Sequence, residues 1–366
     1  MKILVLIPDA FGGRGGIAKF NQDFLNALCT YPESTEVVAI PRRVVDQVSS
    51  LPNKLTYVTS GLKGKLNYGF AILQTVNCSP KYDLILCGHI NLLPFAYLVH
   101  LWMKAPIVLV IYGIEAWHPS PSWLANKLLH KINGIISISE FTKKRFLNWA
   151  KLNDIQEHIL PLTVNLESFT PAAKNHELVD RYHLEGKTVL MTLGRLVSRE
   201  RYKGFDEIIE LLPTLIQEIT HVVYMIVGEG DDRQRLESKA KYLGVEKFVI
   251  FTGFVPEAEK ADYYRLADAF VMPGKGEGFG IVYLEAMACG IPVVASKIDG
   301  SREAVRDGLL GILVNPDNPA EIKAGIIEAL KRPKGLVPQG LDYFSSDNFE
   351  QRCHHIFDKI LRVSRK

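Results

Sequence analysis

The chain has 366 residues, 47% of them apolar and 23% charged. That composition excludes a disordered chain, and the moderate glycine and proline content excludes collagen-like or low-complexity character. The net charge of +3 is too small for a nucleic-acid footprint, so no nucleic-acid partner is expected.

The charge is uneven. Residues 1–165 hold 16 Lys and Arg against 10 Asp and Glu, and the remainder holds 27 against 30. A basic front half fits an anionic membrane or an anionic acceptor; ordinary scatter of surface charge gives the same figures. At roughly 100–200 residues per domain, the length predicts about two domains. The five cysteines, Cys29, Cys78, Cys87, Cys289 and Cys353, form no CxxC pair and read as reduced thiols. The apolar stretch Ile3–Ile7 is too short for a signal-peptide core and reads as a first strand. The longest apolar run, near 90–103, is broken by Asn91, Pro94 and His100, so no span is expected. The expected setting is cytoplasmic, with peripheral contact at the inner membrane surface left open.

Strand-length apolar runs alternate with helix-period segments. Lys2–Ile7 is followed by a glycine loop and an amphipathic stretch, Ile17–Leu28. Strands are then predicted at Glu36–Ile40, Leu84–Gly88, Ile107–Tyr112 and Gly134–Ser137. Their nearly continuous apolar character is that of a parallel sheet covered on both faces. Residues 139–151, with Phe141, Phe146 and Trp149 among basic residues, read as a helix with its aromatics in the core; a membrane-surface helix is the alternative. From Pro161 to about Gly186 the pattern pauses, and the domain boundary is placed there. A second series follows, with strands at Thr188–Leu193, Val222–Val227, Val249–Thr252, Ala269–Met272, Pro292–Ala295 and Gly311–Val314. A helix over about 205–219 contains Pro213, which predicts a kink. A last helix covers about 348–363. The expected organisation is α/β: an N-terminal domain over 1–165, a second over 166–347, and a terminal segment, 348–366, packed back on the first. Ligands of such sheets bind beyond the carboxyl ends of the strands, so a cleft between two doubly wound domains is the expected site.

Three stretches carry chemistry. Gly12-Gly13-Arg14-Gly15-Gly16 sits between the first strand and a helix, where free N–H groups meet anions. Gly13, Gly15 and Ala18 also satisfy a dinucleotide fingerprint, with Glu36 for the ribose and Arg42 and Arg43 for a 2′-phosphate. An NADP-dependent oxidoreductase is therefore one reading, and a plain strand-to-helix turn another. Gly194-Arg195, with Arg199, Arg201 and Lys203-Gly204, forms a basic cluster at a strand's carboxyl end, placed to neutralise a diphosphate or simply solvated. Residues 273–280, PGKGEGFG, lead into a helix at Ile281–Ala288 carrying Glu285. Glu277 and Glu285 are good acceptors for sugar and ribose hydroxyls, and the N–H groups of Phe279 and Gly280 lie at the helix start. Asp231-Asp232 reads as a helix N-cap.

Residues 277–295, EGFGIVYLEAMACGIPVVA, resemble the E-x7-E signature of the retaining GT-B glycosyltransferases, in particular family 4 (group 1). The glycine loop at 12–18, Gly194-Arg195 with Lys203-Gly204, the Gly228-Glu229-Gly230 turn and Gly253-Phe254-Val255 fall where that family has corresponding segments. The resemblance implies two Rossmann-like domains in the GT-B arrangement and retaining transfer of a hexose from a nucleoside diphosphate sugar. It implies that Glu277 meets the donor sugar and Glu285 the ribose. Arg195 and Lys203 would hold the diphosphate; Gly15, Gly16, Phe279 and Gly280 would supply amides; Phe254 and Val255 would face the base. Tyr112-Gly113-Ile114-Glu115 resembles the family's His-Gly-x-Asp/Glu segment, with Tyr112 in place of His. Glu115 becomes the residue that positions or deprotonates the acceptor, with His89, Trp117 and His118 nearby; proton transfer to the departing phosphate is the alternative. No metal and no cofactor are expected, there being no Asp-x-Asp. UDP-glucose is the first donor to expect, with GDP-mannose and ADP-sugars open. The acceptor is expected to be a growing polysaccharide or a lipid-linked oligosaccharide. A non-catalytic sugar-binding module is the remaining alternative.

Overall fold

A computed structural model describes residues 1–48, 50–79 and 81–364. The chain forms two compact units: Met1–Thr163 together with the chain from Ser346 onward, and Val164–Ser345. Arg365 and Lys366, the end of the expected terminal segment, lie outside the described residues.

The first unit is built on a seven-stranded parallel sheet. Its strands are β1 (Lys2–Ile7), β2 (Glu36–Pro41), β3 (Leu55–Tyr57), β4 (Leu84–Cys87), β5 (Ile107–Ile111), β6 (Gly134–Ser137) and β7 (Gln156–Ile159), in the order β3-β2-β1-β4-β5-β6-β7. Its helices are α1 (Gly16–Thr30), α2 (Lys65–Asn77), α3 (Leu93–Met103), α4 (Trp123–Leu128) and α5 (Glu140–Ala150). Right-handed crossovers put α1 on one face of this sheet and α2 to α5 on the other. β4, β5 and β6 are buried along their whole length, as continuous apolar sequence requires between two helix layers. Two strands lie outside the predicted set, β3 and β7. Both are edge strands of mixed polarity, LTY and QEHI, which bury too little to leave an apolar run in the sequence.

The second unit holds α6 (His176–Arg181) and a six-stranded parallel sheet. Its strands are β8 (Thr188–Leu193), β9 (Val222–Val227), β10 (Val249–Gly253), β11 (Ala269–Met272), β12 (Val293–Ser296) and β13 (Ile312–Val314), in the order β10-β9-β8-β11-β12-β13. Between them run α7 (Phe205–Glu218), α8 (Arg233–Tyr242), α9 (Lys260–Leu266), α10 (Ile281–Ala288), α11 (Ser301–Ala304) and α12 (Pro319–Lys331). α7 includes Pro213 and presents Ile208, Ile209, Leu212 and Leu215 to the core at helical spacing. The strand order reverses at β8, so the loops after β8 and β11 face one another at the switch point.

The last helix, α13 (Ser346–Ser364), belongs to the first unit. Its aromatics meet those of α1: Phe349 stands edge-on to Phe20 at 5.8 Å between ring centroids, and Phe357 lies 5.9 Å from Phe24. The Tyr31 hydroxyl donates to Asp358 Oδ1 at 2.7 Å. No helix of the described residues is long and apolar enough to cross a membrane.

Candidate functional site

The second unit assembles its polar site from three loops that must pass within contact distance. After β8 the chain turns at Gly194, whose N–H donates to Val227 O, and Leu196 N–H donates to Glu229 O. A Cβ at Gly228 would sit 1.9 Å from Gly194 O, and one at Gly230 2.0 Å from Leu196 O. Only glycine permits this approach, which explains the Gly-Glu-Gly turn after β9. Gly228 N–H also donates to Gly253 O at 3.0 Å, tying the 253–255 loop to the same turn. There Phe254 is exposed and Val255 buried.

The turn at Arg201–Lys203 interlocks with the glycine loop after β11. Lys275 N–H donates to Tyr202 O at 2.7 Å. A Cβ at Gly274 would lie 2.7 Å from that oxygen, and one at Gly276 2.8 Å from the Tyr202 ring. The interlock brings Lys203 Nζ to 2.5 Å from Glu277 Oε1, with the two side chains 14% and 13% exposed. Arg195 stands apart, its guanidinium 71% exposed and 2.6 Å from Glu200 Oε1.

A residue that sequence reasoning missed holds Glu277 from behind. Asp299 is 2% exposed. Its Oδ2 accepts the Glu277 N–H at 2.9 Å, and its Oδ1 accepts the Ser301 N–H at 3.0 Å and the Ser301 hydroxyl at 2.5 Å. Gly300 N–H returns a bond to Glu277 O at 2.8 Å. Burial pushes the Asp299 carboxyl up to about 6, against the opposing hydrogen bonds from Ser301 and Glu277. No local pattern marks it, because its partner is 22 residues away. A raised carboxyl binds more protons folded than unfolded. Its contribution to stability is therefore full below about pH 4 and lost as pH rises through about 6. The stability advantage of wild type over Asp299→Asn is expected to shrink by about 3 kcal/mol across that window. Urea unfolding of both proteins at pH 4 and 7 checks this; a gap independent of pH would reject it.

Glu285 lies on α10 and is only 3% exposed. The Tyr264 hydroxyl donates to its Oε2 at 2.6 Å, and Lys260 Nζ lies 3.8 Å from its Oε1. Both partners come from α9, one turn apart, and neither was singled out from sequence; their i, i+4 spacing was the available signal. Burial and the Glu285 charge raise the Tyr264 hydroxyl well above its usual value. Gly280, with φ of 89°, is the N-cap of α10 and brings no capping side chain. The N–H groups of Phe279 and Gly280 carry no backbone hydrogen bond among the described residues, so this helix start has donors to offer an anion. Together the loops offer an ammonium, a guanidinium, free amides and a carboxylate within one unit, the complement of a sugar diphosphate.

Residues 177–338 match the family model "Glycosyl transferases group 1". A GDP-mannose-dependent alpha-(1-6)-phosphatidylinositol monomannoside mannosyltransferase of Mycolicibacterium smegmatis is 35% identical over 261 residues, 67% of this chain and 67% of that protein. The chain belongs to the group 1 glycosyl transferases. It is a glycosyltransferase, an enzyme of sugar transfer. A phosphatidyl-myo-inositol mannosyltransferase of Mycobacterium tuberculosis is 39% identical over 55% of this chain, an alignment that spans about half (51%) of that protein. Anabaena Alr3699/HepE in complex with UDP shares the GT-B fold with a TM-score of 0.74 at 20% identity, over 98% of this chain and 100% of that one. Sucrose-phosphate synthase from Thermosynechococcus elongatus does so at 0.76 and 18%, over 99% of each.

In this glycosyltransferase's first unit, Gly15 is the N-cap of α1 with φ of 90°, and Gly16 is its first residue. Gly12 O accepts from the N–H groups of Val45 and Asp46, and Arg14 pairs with Asp46 at 2.5 Å. The dinucleotide reading is corrected here. Glu36 opens β2 and pairs with Lys2 Nζ at 2.7 Å, whereas a ribose-binding carboxylate belongs at the strand's other end. Arg43 is spent on Asp9 and Arg42 on Gly64 O.

Glu115 turns back on its own backbone, its Oε1 accepting the N–H groups of Tyr112 at 2.6 Å and Gly113 at 3.0 Å. Burial raises its carboxyl against those bonds. The Tyr112 hydroxyl is buried and donates to Asn21 Oδ1 at 2.8 Å. His89 Nδ1 accepts the Asn91 N–H as a helix cap. Trp117 is core and not site lining: it is 5% exposed, with Arg145 stacked 4.4 Å from its ring. His118 is exposed. α5 turns Phe146 inward, and the Trp149 indole donates to Ala116 O, the packing of core aromatics. Asp232 is the N-cap residue of α8 but bonds no helix N–H; it pairs instead with Arg235 at 2.6 Å. Among the described residues, no three His, Cys, Asp or Glu are grouped to hold a metal ion.

Proposed function

We propose that this glycosyltransferase moves a hexose, with retention, from a nucleoside diphosphate sugar to a hydroxyl of a lipid-carried acceptor. The observation that carries the reading is the Lys203–Glu277 contact at 2.5 Å beside the open start of α10. In this reading the lysine is the fixed cation for the departing diphosphate and the glutamate the carboxylate for a sugar hydroxyl. Breaking the glycosidic bond separates an anionic diphosphate from an oxocarbenium-like sugar, and a pre-set positive charge lowers that barrier. Arg195 swings from Glu200 to the diphosphate, and Phe279 and Gly280 donate their N–H groups to it. The departing phosphate oxygen takes the acceptor's proton, since Glu115 Oε1 is engaged with two amides. The fixed cations make a divalent metal unnecessary. Activity unaffected by a chelator would support this, and loss restored by magnesium would reject it.

The donor proposed first is GDP-mannose, ahead of UDP-glucose, because the mycobacterial relatives at 34–39% identity are named as mannosyltransferases and those at 35% and 34% state that donor in their names. Those relatives' names also favour a phosphatidylinositol-type glycolipid acceptor over a free polysaccharide. Calorimetric titration with GDP, UDP and ADP tests the reading. Selective binding of GDP supports it; selective binding of UDP moves the donor; no binding of any of the three defeats it. The anomeric configuration of the product, read by NMR, tests retention.

A further inference from the structure

The loop after β8 carries two cation–carboxylate pairs of opposite character. Lys203 and Glu277 shield each other from water. The Arg195 guanidinium is 71% exposed, and its partner Glu200, at 2.6 Å, is only 19% exposed. The backbone between the two cations is pinned at nearly every step. Leu196 N–H donates to Glu229 O, and Leu196 O accepts the Asp232 N–H at 2.9 Å. Asp231 takes both the N–H and the hydroxyl of Ser198, at 2.9 and 2.7 Å. Glu200 N–H donates to Val197 O at 2.7 Å, and Arg201 Nε lies 3.4 Å from Asp232 Oδ1. The Glu200 carboxylate is therefore held by its frame, and the long, exposed Arg195 side chain is the part able to move. Only one Glu200 oxygen is in use. Its Oε2 is buried and has no hydrogen-bond partner among the described residues. An arginine–carboxylate pair is strongest as a two-bond fork; here a single bond, from Nη2 to Oε1, holds Arg195 without locking it.

A diphosphate offers the guanidinium the fork that Glu200 withholds. We propose that Glu200 is a positioning residue: it parks Arg195, yields it to the arriving donor and takes it back as the nucleoside diphosphate leaves. The exchange opposes binding. Once Arg195 departs, a carboxylate mostly shielded from water loses its counter-ion while its second oxygen is still unpaired. Only the fraction of molecules with Arg195 released is ready for phosphate, so Glu200 lowers the affinity for donor and for product alike. Glu200 acts through Arg195 and touches no reacting atom. The proposal rests on the reading of Arg195 as a diphosphate ligand and adds what governs that ligand.

The test is calorimetric titration of wild type, Glu200→Gln, Arg195→Ala and the double variant with GDP and with guanosine, or with UDP and uridine where wild type selects UDP. Glu200→Gln keeps the shape of the side chain and removes its charge. It is expected to bind GDP about fivefold more tightly, the contribution of one partly exposed ion pair. Stopped-flow release of GDP should slow by a similar factor. Guanosine, which has no phosphate, should bind wild type and Glu200→Gln alike, and in the Arg195→Ala background the substitution should change nothing. Glu200→Ala also removes the orphaned oxygen and should act in the same direction, which keeps the test open if the glutamine variant unfolds. GDP binding that is unchanged or weaker in the folded Glu200 variants overturns the proposal. So does tighter binding that persists without Arg195, which would make Glu200 a plain repulsive charge. Wild type that binds no nucleoside diphosphate defeats the donor reading and this proposal together. Wild type that binds one, with no loss in Arg195→Ala, defeats the proposal alone and leaves the diphosphate to Lys203 and the start of α10.

Discussion

Replacing Lys203 by alanine is expected to lower kcat by about a hundred- to a thousandfold, the range for loss of one pre-set electrostatic stabiliser of a developing charge. The effect should fall on turnover more than on donor affinity, because the phosphate charge that matters grows as the bond breaks. Lys203 and Glu277 are mutual partners with side chains only 14% and 13% exposed, so the same change also leaves Glu277 without its 2.5 Å counter-ion. A purely structural pair would therefore lose stability and little else. Lys203→Met separates the two: it keeps the aliphatic stem over the Tyr202 ring, where Nζ now lies 5.4 Å from the centroid, and removes the charge. Thermal unfolding beside steady-state kinetics provides the measurement. Wild-type turnover in Lys203→Met would reject the role assigned to the ammonium. Glu277→Ala is expected to reproduce the loss in kcat, and the double variant to add little to either, since both act on one transition state.

Glu285→Ala is expected to cost about 3 kcal/mol of stability, because a buried tyrosine hydroxyl loses its charged acceptor. For a unit of this size that is a fall of roughly 6–12 °C in the melting temperature. Although burial pulls the other way, Glu285 and Glu257 hold the Lys260 ammonium above its usual value. Lys260 keeps Glu257 at 2.7 Å in the variant, so the tyrosine bears most of the penalty. Glu285→Gln retains an acceptor for Tyr264 and should recover most of the stability. The ribose contact implied by family resemblance makes a separate demand: at a temperature where all proteins are folded, GDP affinity should fall at least tenfold in both Glu285 variants. Unchanged affinity in the folded variants would leave Glu285 as an anchor of α9 and remove it from the nucleotide site. Tyr264→Phe supplies the control, since it removes the 2.6 Å bond and leaves the carboxylate in place.

These two experiments probe a division already visible in the residues. The strands buried on both faces were legible to within a residue or two: Gly134–Ser137, Thr188–Leu193, Val222–Val227 and Ala269–Met272 stand where the apolar runs put them. A continuous apolar run has one stable place in a βα-repeating chain, between two helix layers. Edge strands β3 and β7 lack that signal, because half their surface meets water. The E-x7-E block was legible as chemistry because glycines, carboxylates and a helix start occur together within a few residues.

Sequence by itself determined the βα-repeating fold class, the family and the identity of the charged groups in the second unit, since these rest on local periodicity and on contiguous motifs. Tertiary structure alone decided the partners. It paired Lys203 with Glu277 across 74 residues, put Asp299 behind Glu277 across 22, and closed Tyr264 and Lys260 over Glu285. It also decided that Glu36 and Trp117 do other work. The physical reason is common to all of these. A side chain's charge and size are written in its own residue, but its desolvation and its hydrogen-bond partner depend on which loops the sheet order brings together.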